Sequence, residues 1–454
     1  MRGRFVNVDR DTAYLLPPSV QDWLPENHLA RFVVEIVEQL ELGKLTTAYG
    51  GRGSDAFHPA MMVSLLFYGY ATGVFSSRKL ERETYDSVAF RYVAANKHPD
   101  HDTIATFRKR FLKELSALFV QILGFAQQMG VLKLGKVSLD GTKVHANASK
   151  HSALSWEHAC KIEAQLQAEV AQLMRLAEAA DETAIPDGMS VPEELQRREE
   201  RLAAIAQAKA AIEARAAERY AREQAAYELK MAERKAKEES TGRRPGGAPP
   251  TEPQPGPRPK DQINLTDADS RIMPTSGGGF EQAYNAQAAV DVDTMLIVAQ
   301  HVSQHPNDKQ EVAPALDHLD AVAPVIGNAE AMIADTGYFS AANVEACHAH
   351  RVEPYIAAGR DAHYPPLTER WREPLPLADD ASAVDRMKHR LRTGEGRAVY
   401  AKRKCTVEPT FGIIKSVLGF RQFLLRGVHN VQHEWTLVCI GWNLKRLHRL
   451  QPAI

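Results

Sequence analysis

The sequence feature that most constrains the fold is a long helical and linker segment that lies between two strand-forming regions. Residues 151–240 are rich in Ala, Glu, Gln, Arg and Lys, and their apolar residues recur at helical spacing. Residues 241–260 are rich in Pro and Gly, which indicates a linker without a core of its own. Strand-like patterns precede this segment near residue 136 and return after residue 283. An α/β domain in this chain must therefore be interrupted in sequence after its first strand or strands.

The interrupting segment is predicted to form an antiparallel helical hairpin. Ile185-Pro186-Asp187-Gly188 separates two helical stripes of apolar residues, so the chain is expected to turn there. Ser190 and Glu193 have the spacing of a capping box, which predicts the start of the second helix. A coiled-coil dimer is the alternative, although the apolar stripe is short and rich in alanine.

The first 130 residues are predicted to be mostly helical. Pro59 precedes the apolar stretch Ala60–Ala71, and Gly73 follows it as a turn residue. Ser77 is expected to cap a second helix, and Asp102 with Thr103 a third.

Basic residues lie between the apolar positions of the third helix. Arg108, Lys109, Arg110 and Lys113 would form a charged outer face there. Three short helices with such a face fit a helix-turn-helix-like DNA-binding unit. An ordinary helical bundle with a solvated charged face is the alternative.

Alternating strands and helices on both sides of residues 151–260 predict an α/β domain with a mixed sheet. A first strand is expected to end at Asp140, and a later apolar strand, Ala331–Ala334, to end at Asp335. The other predicted elements are strands at Tyr284–Val290, Met295–Val302 and Val352–Ile356, a helix at Asp308–Val322, and helices from about Val407 onward.

Three carboxylates stand in settings that favour catalysis. Asp140 and Asp335 follow apolar strands and precede small residues, and Glu408 lies before Pro409 at the expected start of a helix. Either aspartate alone would more often be a turn or capping residue. Together they would repel one another unless divalent cations neutralised them, and carboxylate oxygens suit Mg²⁺ or Mn²⁺. Two such ions can support in-line attack on a phosphodiester.

The region around Glu408 resembles the signature Y-x₂-R…E-x₆-K of bacterial insertion-sequence transposases of the DDE type. Tyr400 and Arg403 precede Glu408, and Lys415 follows it at the family's spacing. Lys404, and not Arg403, has the family's usual distance from the glutamate, so both residues are candidates for the arginine role.

Further motifs extend this resemblance over nearly the whole chain. The motifs are Leu139-Asp140-Gly141-Thr142-Lys143-Val144, Ala334-Asp335-Thr336-Gly337-Tyr338, the segment His101–Arg108, Thr266–Ser270 and Tyr284-Asn285-Ala286-Gln287, and they are similar to the group around insertion sequence eleven-eighty-two. The resemblance implies a ribonuclease-H-like catalytic core in which Asp140, Asp335 and Glu408 bind two Mg²⁺ or Mn²⁺ ions. It also implies contacts of Tyr400, Arg403 or Lys404, and Lys415 with DNA.

The resemblance implies that the partner is double-stranded DNA, cleaved at the terminal inverted repeats of the element and joined through its 3′ ends to target DNA. Pairing two ends implies a homodimer in the active complex. The expected domains are a helical DNA-binding domain at 1–130, the first strand or strands of the core at 131–150, the insertion at 151–260 and the remaining core with C-terminal helices at 261–454.

Composition bounds the alternatives. The net charge of −1 does not exclude nucleic acid, because acidic and basic stretches cancel along the chain. The four cysteines are too far apart for a zinc pair, and no apolar run reaches membrane-spanning length, so a cytoplasmic bacterial protein without a membrane partner is expected. The rival functions are a nuclease of the same fold that cuts without joining, a DNA-binding regulator without catalysis, and a helical scaffold.

Overall fold

The computed structural model describes residues 19–49, 56–178, 190–244, 246–275, 278–359, 372–378 and 381–451. The chain divides into two compact units. One unit combines residues 1–145 with 284–454, and the other comprises residues 146–283. The domain boundaries predicted from the sequence stay predictions.

The N-terminal region of the first unit is helical, as predicted. Its helices are α1 (Leu29–Glu38), α2 (Gly43–Thr46), α3 (Pro59–Thr72), α4 (Ser77–Asp86), α5 (Val88–Val93), α6 (His101–Arg110) and α7 (Leu112–Gln128). Two predicted caps are wrong. Ser76 and Asp100, instead of Ser77 and Asp102, accept a hydrogen bond from the backbone N–H three residues later. Both true caps have extended backbone, which leaves the side-chain oxygen free to reach the first turn.

A mixed sheet forms the centre of the first unit, which confirms the predicted α/β class. The strands of the chain are β1 (Lys136–His145), β2 (Ala153–Ser155), β3 (Gln262–Asn264), β4 (Arg271–Pro274), β5 (Phe280–Asp291), β6 (Ile297–Ser303), β7 (Ala331–Ala334) and β8 (Glu353–Ile356). The sheet has the order β5-β1-β7-β8, with β6 and β4 both paired to β5. β1, β7 and β8 are parallel, whereas β5 and β6 form an antiparallel hairpin.

Of the helices predicted after the strands, one begins later in the chain than expected and one begins where it was expected. α10 covers Val312–Ile326, so Asp308 precedes the helix and does not begin it. α11 (Ala341–Ala349) begins after the predicted cap Ser340. The C-terminal region contains helices at Ala383–Arg392, Gly394–Ala401 and Arg403–Gly412, a π-helical turn at Ile413–Val417, and a final helix at Val428–Leu450.

The final helix is anchored to the sheet by hydrogen bonds between side chains and strand backbone. Trp435 Nε1 donates to Gln287 O over 3.0 Å. Asn443 pairs with both the N–H and the carbonyl of Ile297, each at 2.8 Å. These contacts fix β5 and β6, and β5 supplies two side chains to the site described below.

The second unit contains two long helices, α8 (Trp156–Glu178) and α9 (Val191–Thr241). Glu163 pairs with Lys209 and Glu169 with Arg198, so residue numbers rise along one helix as they fall along the other. The two helices are therefore antiparallel, and apolar residues such as Leu166, Ile205 and Ile212 are buried between them.

Two details of the predicted hairpin have different outcomes. Ser190 precedes α9 but its side chain makes no capping hydrogen bond, so the predicted capping box with Glu193 is absent from the structure. The predicted break at Ile185–Gly188 lies outside the described residues.

The Pro- and Gly-rich segment after α9 is irregular where it is described, but it is tied back to that helix. Arg219 donates to both carboxylate oxygens of Asp261 over 2.8 Å, and Arg258 pairs with Glu223 at 2.9 Å. Ion pairs therefore take the place of an apolar core in this segment.

Two expectations from composition concern membranes and cysteines. Of the described helices, none by itself is long and apolar enough to cross a membrane, and α3 and α4 pass that test only as a pair bent by 95°. All four cysteines are free thiols.

Candidate active site

Three carboxylates from distant parts of the chain meet around the guanidinium of Arg403. Arg403 Nη2 lies 2.9 Å from Asp140 Oδ2 and 3.6 Å from Asp335 Oδ2, and Arg403 Nη1 lies 2.6 Å from Glu408 Oε1. The three acids that the sequence singled out are therefore neighbours in the folded chain.

Asp140 lies in the middle of β1, and the prediction that it ends the strand is wrong. β1 continues to His145, because His145 forms backbone hydrogen bonds with Arg421 and Phe423 in the loop before the final helix. Side chains alternate along a strand, so Asp140 and Thr142 point to one side of β1 while Gly141 and Lys143 point to the other.

Asp335 directly follows β7, as predicted. Its Oδ1 accepts a hydrogen bond from Gly337 N over 2.7 Å, which begins the short 3₁₀ turn Thr336–Tyr338. Because β7 is parallel to β1 and adjacent to it, this turn brings Asp335 beside Asp140.

Glu408 lies inside a helix and not at its start. The helix begins at Arg403, so the guanidinium and the glutamate are carried by the same element. Pro409 is an interior residue of this helix, and the interpretation of Pro409 as a first-turn proline is therefore wrong.

The geometry separates the two candidates for the arginine role. Arg403 faces the three carboxylates, whereas Lys404 is exposed. Burial disfavours the charged guanidinium, but the attraction of Asp140 and Asp335 outweighs burial and raises the pKa of Arg403.

Asp140 is the most strongly perturbed acid of the site. Burial raises the pKa of Asp140 to about 6, although Arg403 and the N–H of Gly141 act in the opposite direction. Three carboxylates that share one guanidinium carry more negative charge than Arg403 neutralises, and such an excess favours a cation at the site.

A fourth carboxylate, Asp308, lies on the other side of β1. Asp308 Oδ1 accepts hydrogen bonds from Asn285 Nδ2 at 2.7 Å and Gln287 Nε2 at 2.9 Å, and Lys143 Nζ lies 3.3 Å away. Tyr338 Oη donates to Gln287 Oε1 over 2.6 Å, which orients the amide. Sequence reasoning placed Asp308 in a helix and missed it, although it did single out the motif that contains Asn285 and Gln287.

Gly141 and Gly337 lack side chains, and this leaves room for the neighbouring groups of the site. A Cβ on Gly141 would lie 2.0 Å from Gln287 Nε2. A Cβ on Gly337 would lie 3.0 Å from Asp335 Oδ1 and 3.7 Å from Asp308 Oδ2. A side chain at residue 141 would therefore displace the amide of Gln287, and one at residue 337 would lie against Asp335 and Asp308.

Lys415 and Tyr400 also lie at the site. Lys415 Nζ donates to Thr142 Oγ1 over 3.0 Å and to the carbonyl of Lys143 over 3.2 Å, so protein groups of β1 hold this ammonium group. Burial and the nearby charge of Arg421 lower the pKa of Lys415. Tyr400 is half-buried on a cluster that includes Ile333, and burial raises the pKa of its hydroxyl group.

The basic face predicted on the N-terminal helices is only partly present. Arg108 is buried, with Nη1 donating to Phe75 O at 3.0 Å, so its placement on an outer DNA-binding face is wrong. The buried guanidinium offsets the nearby charge of Glu434, which is a structural role. Lys109 and Arg110 are exposed, and Arg110 also stacks over the Tyr49 ring.

The donor set fits a hard divalent cation, because it consists of carboxylate oxygens with glycine-lined space between them. Among the described residues no group of three His, Cys, Asp or Glu side chains surrounds a single point as a metal ion requires. The position of Arg403 accounts for this, since the acids are arranged around an extended planar group.

Comparisons with known proteins match two regions of the chain. Residues 18–110 match the family model described as Transposase domain (DUF772). Residues 259–444 match the model described as Transposase DDE domain, and this region contains Asp335, Arg403 and Glu408. Asp140 lies outside both matched regions. No curated protein and no solved structure matches the chain significantly.

The DDE domain implies a ribonuclease-H-like fold, with which the mixed sheet agrees. Together the two matched regions cover more than half of the sequence. The chain belongs to the DDE-type insertion-sequence transposases.

Proposed function

We propose that this transposase cleaves DNA at the terminal inverted repeats of its own element and transfers the 3′ ends to target DNA, with Asp140, Asp335 and Glu408 as metal ligands. The observation that carries the proposal is the convergence of these three acids on Arg403. The insertion-sequence group stays the one expected from the motifs.

The three carboxylates would hold two Mg²⁺ or Mn²⁺ ions. When bound, such ions activate the attacking water or 3′-hydroxyl and stabilise the leaving oxygen. Burial raises the pKa of Asp140, and a divalent cation bound beside this carboxylate would offset the cost of its lost hydration.

The basic residues of the site have separate tasks in this proposal. Arg403 neutralises the carboxylates, and its planar fork also matches phosphate oxygens of DNA. Lys415 holds the backbone of β1 behind Asp140 and presents a positive charge beside Thr142. We expect exposed Lys404 and, in the N-terminal helices, Lys109 and Arg110 to contact phosphates, and Tyr400 to contact DNA near the carboxylates.

Joining two DNA ends in one reaction needs two active sites, so the active complex is proposed to be a homodimer. Nothing in the two matched families distinguishes cutting from joining. A nuclease and a catalytically inactive regulator are therefore the alternatives that the experiment must separate.

The test uses the two DNA ends that flank the reading frame, labelled at their 3′ ends and incubated with full-length protein, target plasmid and Mg²⁺. We expect nicking and joined products with wild type, and neither product with Asp335→Asn or Glu408→Gln. Asp317→Asn, which changes an exposed acid on α10, should match wild type.

The outcomes separate the three functions. Nicked products without joined products would replace the proposal with a nuclease. DNA binding without metal-dependent nicking would indicate a regulator, and full activity of Asp335→Asn would overturn the assigned carboxylates.

A further inference from the structure

We propose that Asp308 is a fourth carboxylate ligand of the metal-binding site, acting together with Asp335, and that Lys143 neutralises Asp308 when no metal is bound. This inference rests on the proposed function, because it concerns the same divalent cations. Asp308 lies in the segment between β6 and α10, whereas the three expected acids lie elsewhere in the chain.

The two oxygens of Asp308 have different surroundings. Oδ1 is surrounded by Asn285, Gln287 and Lys143. Among the described residues, Oδ2 has no hydrogen-bond donor, and it lies 3.7 Å from the position of a Cβ on Gly337. One oxygen is therefore held in place while the other faces open space at the site.

Asp335 faces the same space from the opposite direction. Its Oδ1 lies 3.0 Å from the same Cβ position on Gly337, while its Oδ2 faces Arg403. Asp335 Oδ1 also accepts the N–H of Gly337 over 2.7 Å, which leaves a second lone pair on this oxygen. Asp308 Oδ2 and Asp335 Oδ1 both border the position that a Cβ on Gly337 would take, and carboxylate oxygens are the donors that a small hard cation prefers.

The network behind Asp308 is of the kind that orients metal ligands. The hydroxyl of Tyr338, 0% exposed, donates to Gln287, and both Gln287 and Asn285 are fully buried and donate to Asp308. Such a chain fixes the carboxylate orientation before a cation arrives.

Mn²⁺ titrated into the full-length protein without DNA, with free Mn²⁺ followed by electron paramagnetic resonance, tests the inference. We expect Asp308→Asn to weaken Mn²⁺ binding about tenfold, with Asp317→Asn unchanged. Lys143→Met should strengthen binding several-fold in the wild-type background and have no effect in the Asp308→Asn background. Lys309→Met, which removes the adjacent exposed lysine, is the matched control.

The outcomes distinguish this inference from the proposed function. If Asp335→Asn loses Mn²⁺ binding while Asp308→Asn retains it, the fourth ligand is wrong and the proposed function stands. If wild type does not bind Mn²⁺, or Asp335→Asn binds as well as wild type, both are overturned. If Asp308→Asn does not fold, Lys143→Met decides, and unchanged Mn²⁺ affinity of that variant overturns the inference.

Discussion

At the scale of single residues, Gly141 leaves just enough room for the Gln287 side chain beside β1. A methyl group there would lie 2.0 Å from the amide nitrogen of Gln287, which is held from behind by Tyr338. We expect Gly141→Ala to lower the free energy of unfolding by about 1–3 kcal/mol, as overpacking does, and to abolish strand cleavage. Urea denaturation and the nicking assay measure the two effects.

Gly43 provides the control for this substitution. Gly43 lies in α2, outside the sheet, and a Cβ there meets no atom within 4 Å. Gly43→Ala should therefore leave both stability and activity close to those of wild type. Equal losses in the two variants would show that the effect is one of backbone conformation and not of packing against Gln287.

A second prediction at this scale concerns Glu311, which is buried at the start of α10. Its carboxylate accepts hydrogen bonds from His301 at 2.7 Å, Ser303 at 2.7 Å and His305 at 2.8 Å. Burial alone would raise the pKa of Glu311, but these hydrogen bonds outweigh burial and lower it. The stabilisation is thus complete above the unfolded-state pKa of about 4.3 and is lost as pH falls through the lower folded-state pKa.

Glu311→Gln should therefore cost about 3 kcal/mol in the free energy of unfolding near pH 7. The difference in stability between this variant and wild type should shrink as pH falls below about 4, because the protonated carboxyl group of Glu311 is then uncharged, like the amide of glutamine. Denaturation midpoints measured across this pH range provide the test, with exposed Glu345→Gln on α11 as the control. A difference that stays constant with pH would contradict the role given to the charged carboxylate.

At the scale of elements, the final helix holds in place, through hydrogen bonds, the loop that pairs with the end of β1. Glu434 is fully buried, and its carboxylate accepts hydrogen bonds from the N–H groups of Leu424 and Leu425 at 2.9–3.1 Å. Just before these residues, the same loop pairs with His145 at the end of β1. The helix therefore positions the strand that carries Asp140.

Glu434→Ala should destabilise the fold by about 3 kcal/mol, because it leaves buried N–H groups without acceptors. Burial raises the pKa of Glu434, so its charge is costly, and Glu434→Gln should lose less than Glu434→Ala. Amide hydrogen exchange of residues 421–425 should rise in Glu434→Ala but not in Arg449→Ala, an exposed change on the same helix. Unchanged exchange in the loop would refute the anchoring role.

The elements also show what the sequence can and cannot predict. The hairpin of β5 and β6, strand β7 with Asp335 and the cap Ser340 follow from local patterns, and the structure has them. The end of β1 and the start of the Glu408 helix do not follow from local patterns. β1 is prolonged by pairing with a loop 276 residues further on in the chain (His145 to Arg421). The Glu408 helix begins before Pro409, because proline is tolerated inside it.

Asp308 could not be found from local pattern for the same reason. Its surroundings are made by β1, β5 and the turn after β7, which only the tertiary fold brings together. The prediction for Arg108 is wrong for a different reason. A basic residue on a helix is usually exposed, whereas Arg108 is buried near the charge of Glu434.

At the scale of the whole molecule, the candidate site joins residues from both sides of a long insertion in the sequence. Asp140 precedes residues 146–283, whereas Asp335, Arg403 and Glu408 follow them. The site can form only after the sheet has paired strands far apart in sequence, and such long-range pairing is slow compared with helix formation. The carboxylates can therefore meet only when β1 and β7 have become neighbours.

Each compact unit has an apolar core of its own, which predicts separate responses to core mutations. Ile212 is buried between α8 and α9, and Ile333 is buried in β7. Replacing either isoleucine by alanine should cost about 2–5 kcal/mol locally. Ile212→Ala should raise amide exchange in α8 and α9, whereas Ile333→Ala should raise it across β1, β7 and β8. Leu229→Ala, at a position of α9 that is 63% exposed, should change neither region. Equal increases throughout the chain with both core variants would show that residues 146–283 and the catalytic sheet unfold as one cooperative body.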